Sequence, residues 1–165
     1  MKLHIENHFD ASPQEVWDLF NSDAFEARLE ETSGVRMTTV EETIEGDLEE
    51  RRIECESKKE LPGFMAKLLG AKHLTYTQLT KLDRSKDTLW WQVIPMAMSD
   101  KVTAEGTTVV TAEGDRSRRV VSGEISVRIP LVGGRIEKVI LQEVERSYQR
   151  AAELAERILE ERKAS

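Results

Sequence analysis

Hydrophobic and polar positions alternate along much of this sequence. In the opening stretch KLHIENHF, Leu3, Ile5 and Phe9 alternate with polar residues, and this period of two predicts a strand with one buried face. Between Val35 and Ile129, stretches rich in β-branched residues are separated by short turn segments. We predict three hairpins, Val35–Ile44 with Leu48–Ser57, His73–Leu82 with Thr88–Met96, and Val102–Ala112 with Arg118–Ile129. Because no helices alternate with these strands, the sheet should be antiparallel.

Two short helices are predicted between the first strand and the hairpins. Ser12, Pro13 and Glu15 have the spacing of a capping box, with proline at the first helical position. A second helix opens at Ser22 or Asp23, and Gly34 is suited to end it.

The segment LPGFMAKLLG, residues 61–70, interrupts the strands with the spacing of one short helix. Three interpretations remain open from the sequence. The segment could close an open end of the sheet, form a mobile lid over a cavity, or touch a membrane surface.

The final stretch, PLVGGRIEKVILQEVERSYQRAAELAERILEERKAS, predicts one long amphipathic helix. Its apolar positions recur at spacings of three and four, and the opposite side is rich in Glu and Gln. The apolar face would extend roughly 40 Å at about 1.5 Å per residue, so its partner should be the predicted sheet. Ser147, Ala151 and Ala155 are small, and they either allow close packing or leave a cavity.

Two segments resemble the START-like superfamily, also called SRPBCC or helix-grip proteins. They are FDASPQEVWDLFNSDAF near the start and PLVGGRIEKVILQEVERSYQRAAELAERIL near the end. SDAFEARLEETSG, with Gly133-Gly134, further resembles an uncharacterised bacterial branch of that superfamily. The resemblance implies an α+β helix-grip fold: a curved antiparallel sheet of about seven strands around a long C-terminal helix. It also implies an internal cavity, often for an apolar ligand, but no single chemistry.

Composition narrows the classes of function. The formal net charge is −7, which opposes binding to nucleic acid. No stretch is long and apolar enough for a membrane-spanning helix or a signal peptide, so we expect a cytoplasmic protein without stable membrane insertion. The length of 165 residues suits a single domain, 1–165. A protein partner cannot be identified.

Candidate catalytic and metal-binding residues are few. His4 and His8 would face the same way on a strand, about 13 Å apart, which is too far for one metal ion. Cys55 is the only cysteine, and a lone cysteine in an alternating apolar stretch is usually a core residue. We interpret the cluster of Arg116, Arg118 and Arg119 as a solvated turn. Adjacent acids such as Glu49-Glu50 are interpreted as surface residues, and no cofactor is expected.

The apolar faces of the strands and helices predict one interior site. Its proposed lining residues are Met37, Ile53, Phe64, Leu68, Tyr76, Trp91, Val93, Ile125 and Tyr148. The absence of a readable catalytic set favours a non-enzymatic protein that binds a hydrophobic or amphipathic small molecule, for example a lipid. Two alternatives remain open: a cyclase- or hydrolase-type enzyme using the same cavity, and a protein-interaction module whose cavity has collapsed.

Overall fold

The structure is a computed structural model that describes all residues, 1–165. The strands are β1 (Lys2–Phe9), β2 (Val35–Glu45), β3 (Leu48–Glu60), β4 (His73–Asp83), β5 (Thr88–Pro95), β6 (Val102–Glu113) and β7 (Arg116–Val127). The helices are α1 (Pro13–Phe20), α2 (Asp23–Ser33), α3 (Gly63–Leu69) and α4 (Gly133–Ala164). The predicted α+β class and the element order are confirmed, and each predicted hairpin is present with small changes at its ends.

All seven strands form one antiparallel sheet in the order β1-β7-β6-β5-β4-β3-β2. From β2 to β7, each strand pairs with the next one along the chain, and β1 pairs with the far side of β7. The helices α1 and α2 therefore connect the two opposite edges of the sheet. The exposed edge strand β2 carries a register irregularity between Thr39 and Glu41 and several glutamates, features that discourage pairing with another chain.

The short helices begin and end where their caps predict. The Ser12 hydroxyl accepts a hydrogen bond from the backbone N–H of Glu15 at 3.2 Å, and the Ser22 hydroxyl does the same for Phe25. Gly34 ends α2 with a φ of 71°, a left-handed conformation that favours glycine. These local contacts fix the turn that carries the chain from β1 toward β2.

The long helix α4 approaches β7 and β1 most closely, and its middle faces β5, where Tyr148 packs in one cluster with Trp91. Near its C-terminal end, Leu154, Ala155 and Ile158 are buried in the main hydrophobic core with α1 and α2. Near its N-terminal end, Ile136 packs with Met65 of α3 and with Val127. The helix is thus tightly packed at both ends, and α3 closes the end of the sheet where α4 begins.

Two predictions about surface residues were wrong. Arg119 is not part of a solvated turn: it is 4% exposed and points to the inner face of the sheet, whereas Arg116 is exposed. Glu49 is 5% exposed, unlike its neighbour Glu50. Arg119 and Glu49 both lie on the strand face that carries the core residues. Hydrogen bonds from Arg51 and Arg84 replace water around Glu49, whereas Arg119 makes only one hydrogen bond, to Asn7.

Candidate functional site

The space between the middle of α4 and the inner face of the sheet is less tightly packed than either end. Leu141, Val144 and Tyr148, which lie on the helix above this space, are only half-buried, although Ile136 and Leu154 at the two ends are buried. Several side chains on the sheet face below are also half-buried, among them Ile5, Tyr76, Gln78, Thr80 and Val93. We call this space the hollow.

The two tyrosines of the hollow are shielded from solvent but keep accessible surface. Burial raises the pKa of the Tyr148 hydroxyl and that of the Tyr76 hydroxyl above their ordinary values. Both side chains nevertheless remain only half-buried. A side chain that is shielded from water yet incompletely packed faces interior space, which is the arrangement expected of a ligand pocket.

Trp91 forms the floor of the hollow on β5. Its indole lies across two neighbouring strands, because Gly106 on β6 and Gly123 on β7 leave it room. A Cβ atom on Gly106 would come within 2.7 Å of the indole Cζ2 atom. The indole Nε1 is buried and has no hydrogen-bond partner. A buried N–H donor is normally paired, so this atom is one place where a ligand could bind.

Arg119 lies at the α1 end of the hollow. Its guanidinium carbon is 4.3 Å from the ring centre of Phe20, 5.2 Å from that of Phe9 and 5.5 Å from that of Tyr148. Its Nη2 atom donates to Asn7 Oδ1 at 2.8 Å, while the buried Nε has no partner. Burial lowers the pKa of Arg119 to about 10, so the side chain stays charged at neutral pH.

The structure brings most of the predicted lining residues to the inner face. Met37 and Tyr76 are register partners of Cys55, while Val93 and Ile125 are register partners of Ala104. Ile53, Trp91 and Ile125 are buried, and Trp91 packs in one cluster with Tyr148.

The two predicted residues on α3 differ in their surroundings. Phe64 packs at the α3 end, where the guanidinium carbon of Arg135 lies 4.0 Å from its ring centre. Leu68 is 38% exposed and lies on the outer side of α3. The α3 residues therefore lie at the end of the hollow, away from Arg119.

The prediction of lining residues omitted the two residues with the most distinctive surroundings, Arg119 and its partner Asn7. The sequence does contain a pattern that indicates the inward position of Arg119. Arg119 has the same parity along its strand as Val121 and Ile125, which the alternation places inside. Arg119 is the last residue of the polar sequence EGDRSRR, in which charged residues obscure the alternation.

A second concave surface lies on the opposite side of the sheet. This groove has a volume of about 650 Å³ and is open to solvent. Charged side chains dominate its walls, and Trp90 is one of its few hydrophobic residues. Because the groove offers little shielding from water, the hollow is the better candidate for a functional site.

Another buried polar cluster lies on the inner face near α1. Glu49 accepts hydrogen bonds from Arg84 and from Arg51, the latter at 3.0 Å, and Arg84 also donates to Asp18. Burial alone would raise the pKa of Glu49, but the hydrogen bonds from the two arginines outweigh it and hold the pKa below its ordinary value. All the charges of this cluster are thus paired, whereas the charge of Arg119 is not.

The comparisons with known proteins agree with this architecture. Zhui aromatase/cyclase from a Streptomyces species superposes with a TM-score of 0.69 at 13% identity, covering 98% of this chain and 96% of that one. The protein TTHA0849 from Thermus thermophilus gives 0.67 at 18% identity and 95% coverage of both chains. A START superfamily protein from Mycobacterium smegmatis gives 0.61 at 12% identity and 97% coverage of both. These likenesses establish the START-like helix-grip fold.

Sequence comparisons identify the family. A search of curated proteins finds no match. None of the four helices combines the length and apolar character needed to cross a membrane. The model of a family described as "Protein of unknown function (DUF2505)" matches residues 4–159, which is nearly the whole chain. The protein therefore belongs to the DUF2505 family.

Proposed function

We propose that this protein binds a hydrophobic or amphipathic small molecule in the hollow and does not transform it. The observation that carries the proposal is the pair of buried, unpartnered donors, Trp91 Nε1 and Arg119 Nε, in an otherwise largely apolar interior. Ligand pockets typically combine apolar walls with a few polar groups that fix the orientation of the ligand. Both features occur on the face that α4 covers incompletely.

Binding is favoured over catalysis because the hollow itself contains no free base. Glu26, whose pKa burial raises, lies on α2 beside Thr39 and Arg51, outside the hollow. Burial raises the pKa of Tyr76 and Tyr148, and it raises the pKa of the Cys55 thiol to about 12, so all three stay protonated at neutral pH. Glu49 is the buried carboxylate of this face, and two arginines already occupy it. A general base must be able to accept a proton near the operating pH. This chain shares its fold with an aromatase/cyclase, but a shared fold does not by itself provide a general base.

Binding can be tested with a neutral, environment-sensitive fluorescent lipid probe. We expect saturable binding with one-to-one stoichiometry and energy transfer from tryptophan to the probe. Trp91→Phe should reduce this transfer more than Trp17→Phe does, because Trp91 forms the floor of the hollow while Trp17 lies in the main core. Native mass spectrometry of the protein purified from cells would identify a ligand class directly.

A filling substitution gives the matched control. Ser147→Phe, on the half-buried side of α4, should occupy the hollow and weaken probe binding strongly, while Glu145→Phe on the exposed side should not. Circular dichroism would verify that both variants are folded. If the parent protein binds no probe and carries no co-purifying molecule, the proposal fails, and a protein-interaction module becomes the better interpretation.

A further inference from the structure

Arg119 is a buried cation without a counter-ion. The residue is 4% exposed, and its guanidinium forms no salt bridge and makes a single hydrogen bond, to the neutral amide of Asn7. An unpaired charge inside a protein is strongly unfavourable unless other groups compensate for it. The position therefore requires an explanation beyond packing.

The other inward-facing arginines of this chain have carboxylate partners. Arg51 and Arg84 both donate to Glu49. Even the adjacent Arg118, on the opposite face of β7, pairs with Glu6. Arg119 is the most deeply buried arginine of this chain, and none of the 31 acidic residues pairs with it. The missing partner is thus a specific property of this position.

Aromatic rings compensate for the charge only in part. The rings of Phe9, Phe20 and Tyr148 surround the guanidinium at cation–π distances. The guanidinium carbon lies over each of the three rings, whereas the N–H donors point outward in the guanidinium plane. Nε–H remains buried without an acceptor. The rings hold the guanidinium in place but supply no acidic acceptor for its Nε–H.

We propose that the ligand of the hollow carries a carboxylate head group, which Arg119 binds through its unpaired in-plane donors. This inference rests on the proposed function, since it specifies the class of molecule that the hollow accepts. A planar carboxylate matches the fork of a guanidinium, and the interaction is strong in a site shielded from water.

The apolar tail of the ligand extends from Arg119 past Tyr148 and over Trp91. Tyr148 connects the two ends, because its ring contacts the guanidinium and packs in the cluster of Trp91. Along β7, Arg119 and Gly123, which lies beneath the indole, are four residues apart, or about 13 Å in an extended strand. The ligand class is therefore an amphipathic carboxylic acid with a flexible or flat apolar body of that reach or longer.

Isothermal titration with dodecanoate and dodecan-1-ol, which share one tail, tests the head group. The parent protein should bind dodecanoate at least about tenfold more tightly than the alcohol, since hydrogen bonds to charged groups are among the stronger ones. Arg119→Met should lose this preference but still bind the alcohol. Arg118→Met, the matched control on the outer face, should keep it. Acetate, a head group without a tail, should bind far more weakly than dodecanoate.

The outcomes separate the two proposals. If the parent protein binds the acid and the alcohol equally well, the carboxylate inference is overturned while the proposed function stands. If acetate binds as tightly as dodecanoate, or if Arg118→Met removes the preference as fully as Arg119→Met, the inference is also overturned. If neither dodecyl compound nor the neutral probe binds and no molecule co-purifies with the protein, the proposed function itself fails. The comparison in the parent protein needs no variant, so it decides the matter even if Arg119→Met does not fold.

Discussion

The indole of Trp91 lies so close to Gly123 that a Cβ atom on this glycine would come within 2.6 Å of the indole Cζ2 atom. It would also lie 2.5 Å from the carbonyl oxygen of Glu105. We therefore expect Gly123→Ala to lower the free energy of unfolding by about 1–3 kcal/mol, as overpacking usually does, and to shift the tryptophan emission. Gly134→Ala is the control, because no atom lies within 4 Å of a Cβ atom there. Equal stability of the two variants in urea unfolding would contradict this packing.

Truncation of leucines on α4 should reveal where the helix is tightly packed. Leu154 is 2% exposed in the main core, so Leu154→Ala should cost about 2–5 kcal/mol of unfolding free energy. Leu141 lies above the hollow and is half-buried, so Leu141→Ala should cost clearly less, because part of its surroundings is already empty. Thermal or urea unfolding of both variants measures the difference. Equal losses would mean that the middle of the helix is packed as tightly as its end.

The Glu49 cluster should make stability depend on pH. Hydrogen bonds from Arg84 and Arg51 hold the folded-state pKa of Glu49 below its ordinary value of 4.5, despite the opposing effect of burial. A depressed pKa contributes stability above the unfolded-state value, and this contribution is lost as the pH falls through the folded-state value. Glu49→Gln should therefore cost about 2 kcal/mol at pH 7. The two proteins should converge in stability well below pH 4.5.

The neighbouring Glu50 supplies the control for this measurement. Its side chain is 53% exposed and pairs only with Lys81, at 3.6 Å. Exposed ion pairs contribute little, so Glu50→Gln should change the unfolding free energy only slightly and equally at both pH values. A pH-independent effect of Glu49→Gln would argue against the depressed pKa.

Cys55 should be inert in the folded protein. The side chain is 1% exposed, and burial raises its pKa to about 12, so almost no thiolate is present at pH 8. We expect iodoacetamide to leave the native protein unmodified and to alkylate it once in urea, as measured by mass spectrometry. Rapid alkylation under native conditions would show that β3 opens locally or that reagents reach the thiol through the hollow.

The order of the elements was predictable because it depends on local chemistry. Ser12, Pro13 and Glu15 specify the start of α1 whatever the rest of the fold does. The turns at Gly46 and Gly114 separate the strands of two hairpins, and both glycines have a φ of 61°, which few other residues tolerate. Each turn then fixes which residues of its two strands pair, and an antiparallel sheet results.

The polar features of the interior depend on contacts between distant segments and were not predicted. The space for Trp91 exists because Gly106 and Gly123 meet at one point of the β6–β7 register. The alternation along β7 turns Arg119 inward, but its burial also depends on α1 bringing Phe20 over it, and no local pattern indicates that approach. The lining residues that were proposed from the sequence stay a prediction until a ligand is observed.

The pairing of β1 with β7 has a consequence for the order in which the chain assembles during synthesis. Lys2 lies opposite Glu124 and Phe9 opposite Ser117, so the first strand has no partner until more than a hundred further residues have left the ribosome. Until then Leu3 and Phe9, both buried in the finished protein, remain exposed. Pairings between such distant segments close slowly, because the intervening chain must be ordered first. The nascent protein should thus accumulate as a set of hairpins with a free leading strand, which a chaperone or a protease could bind before β7 arrives.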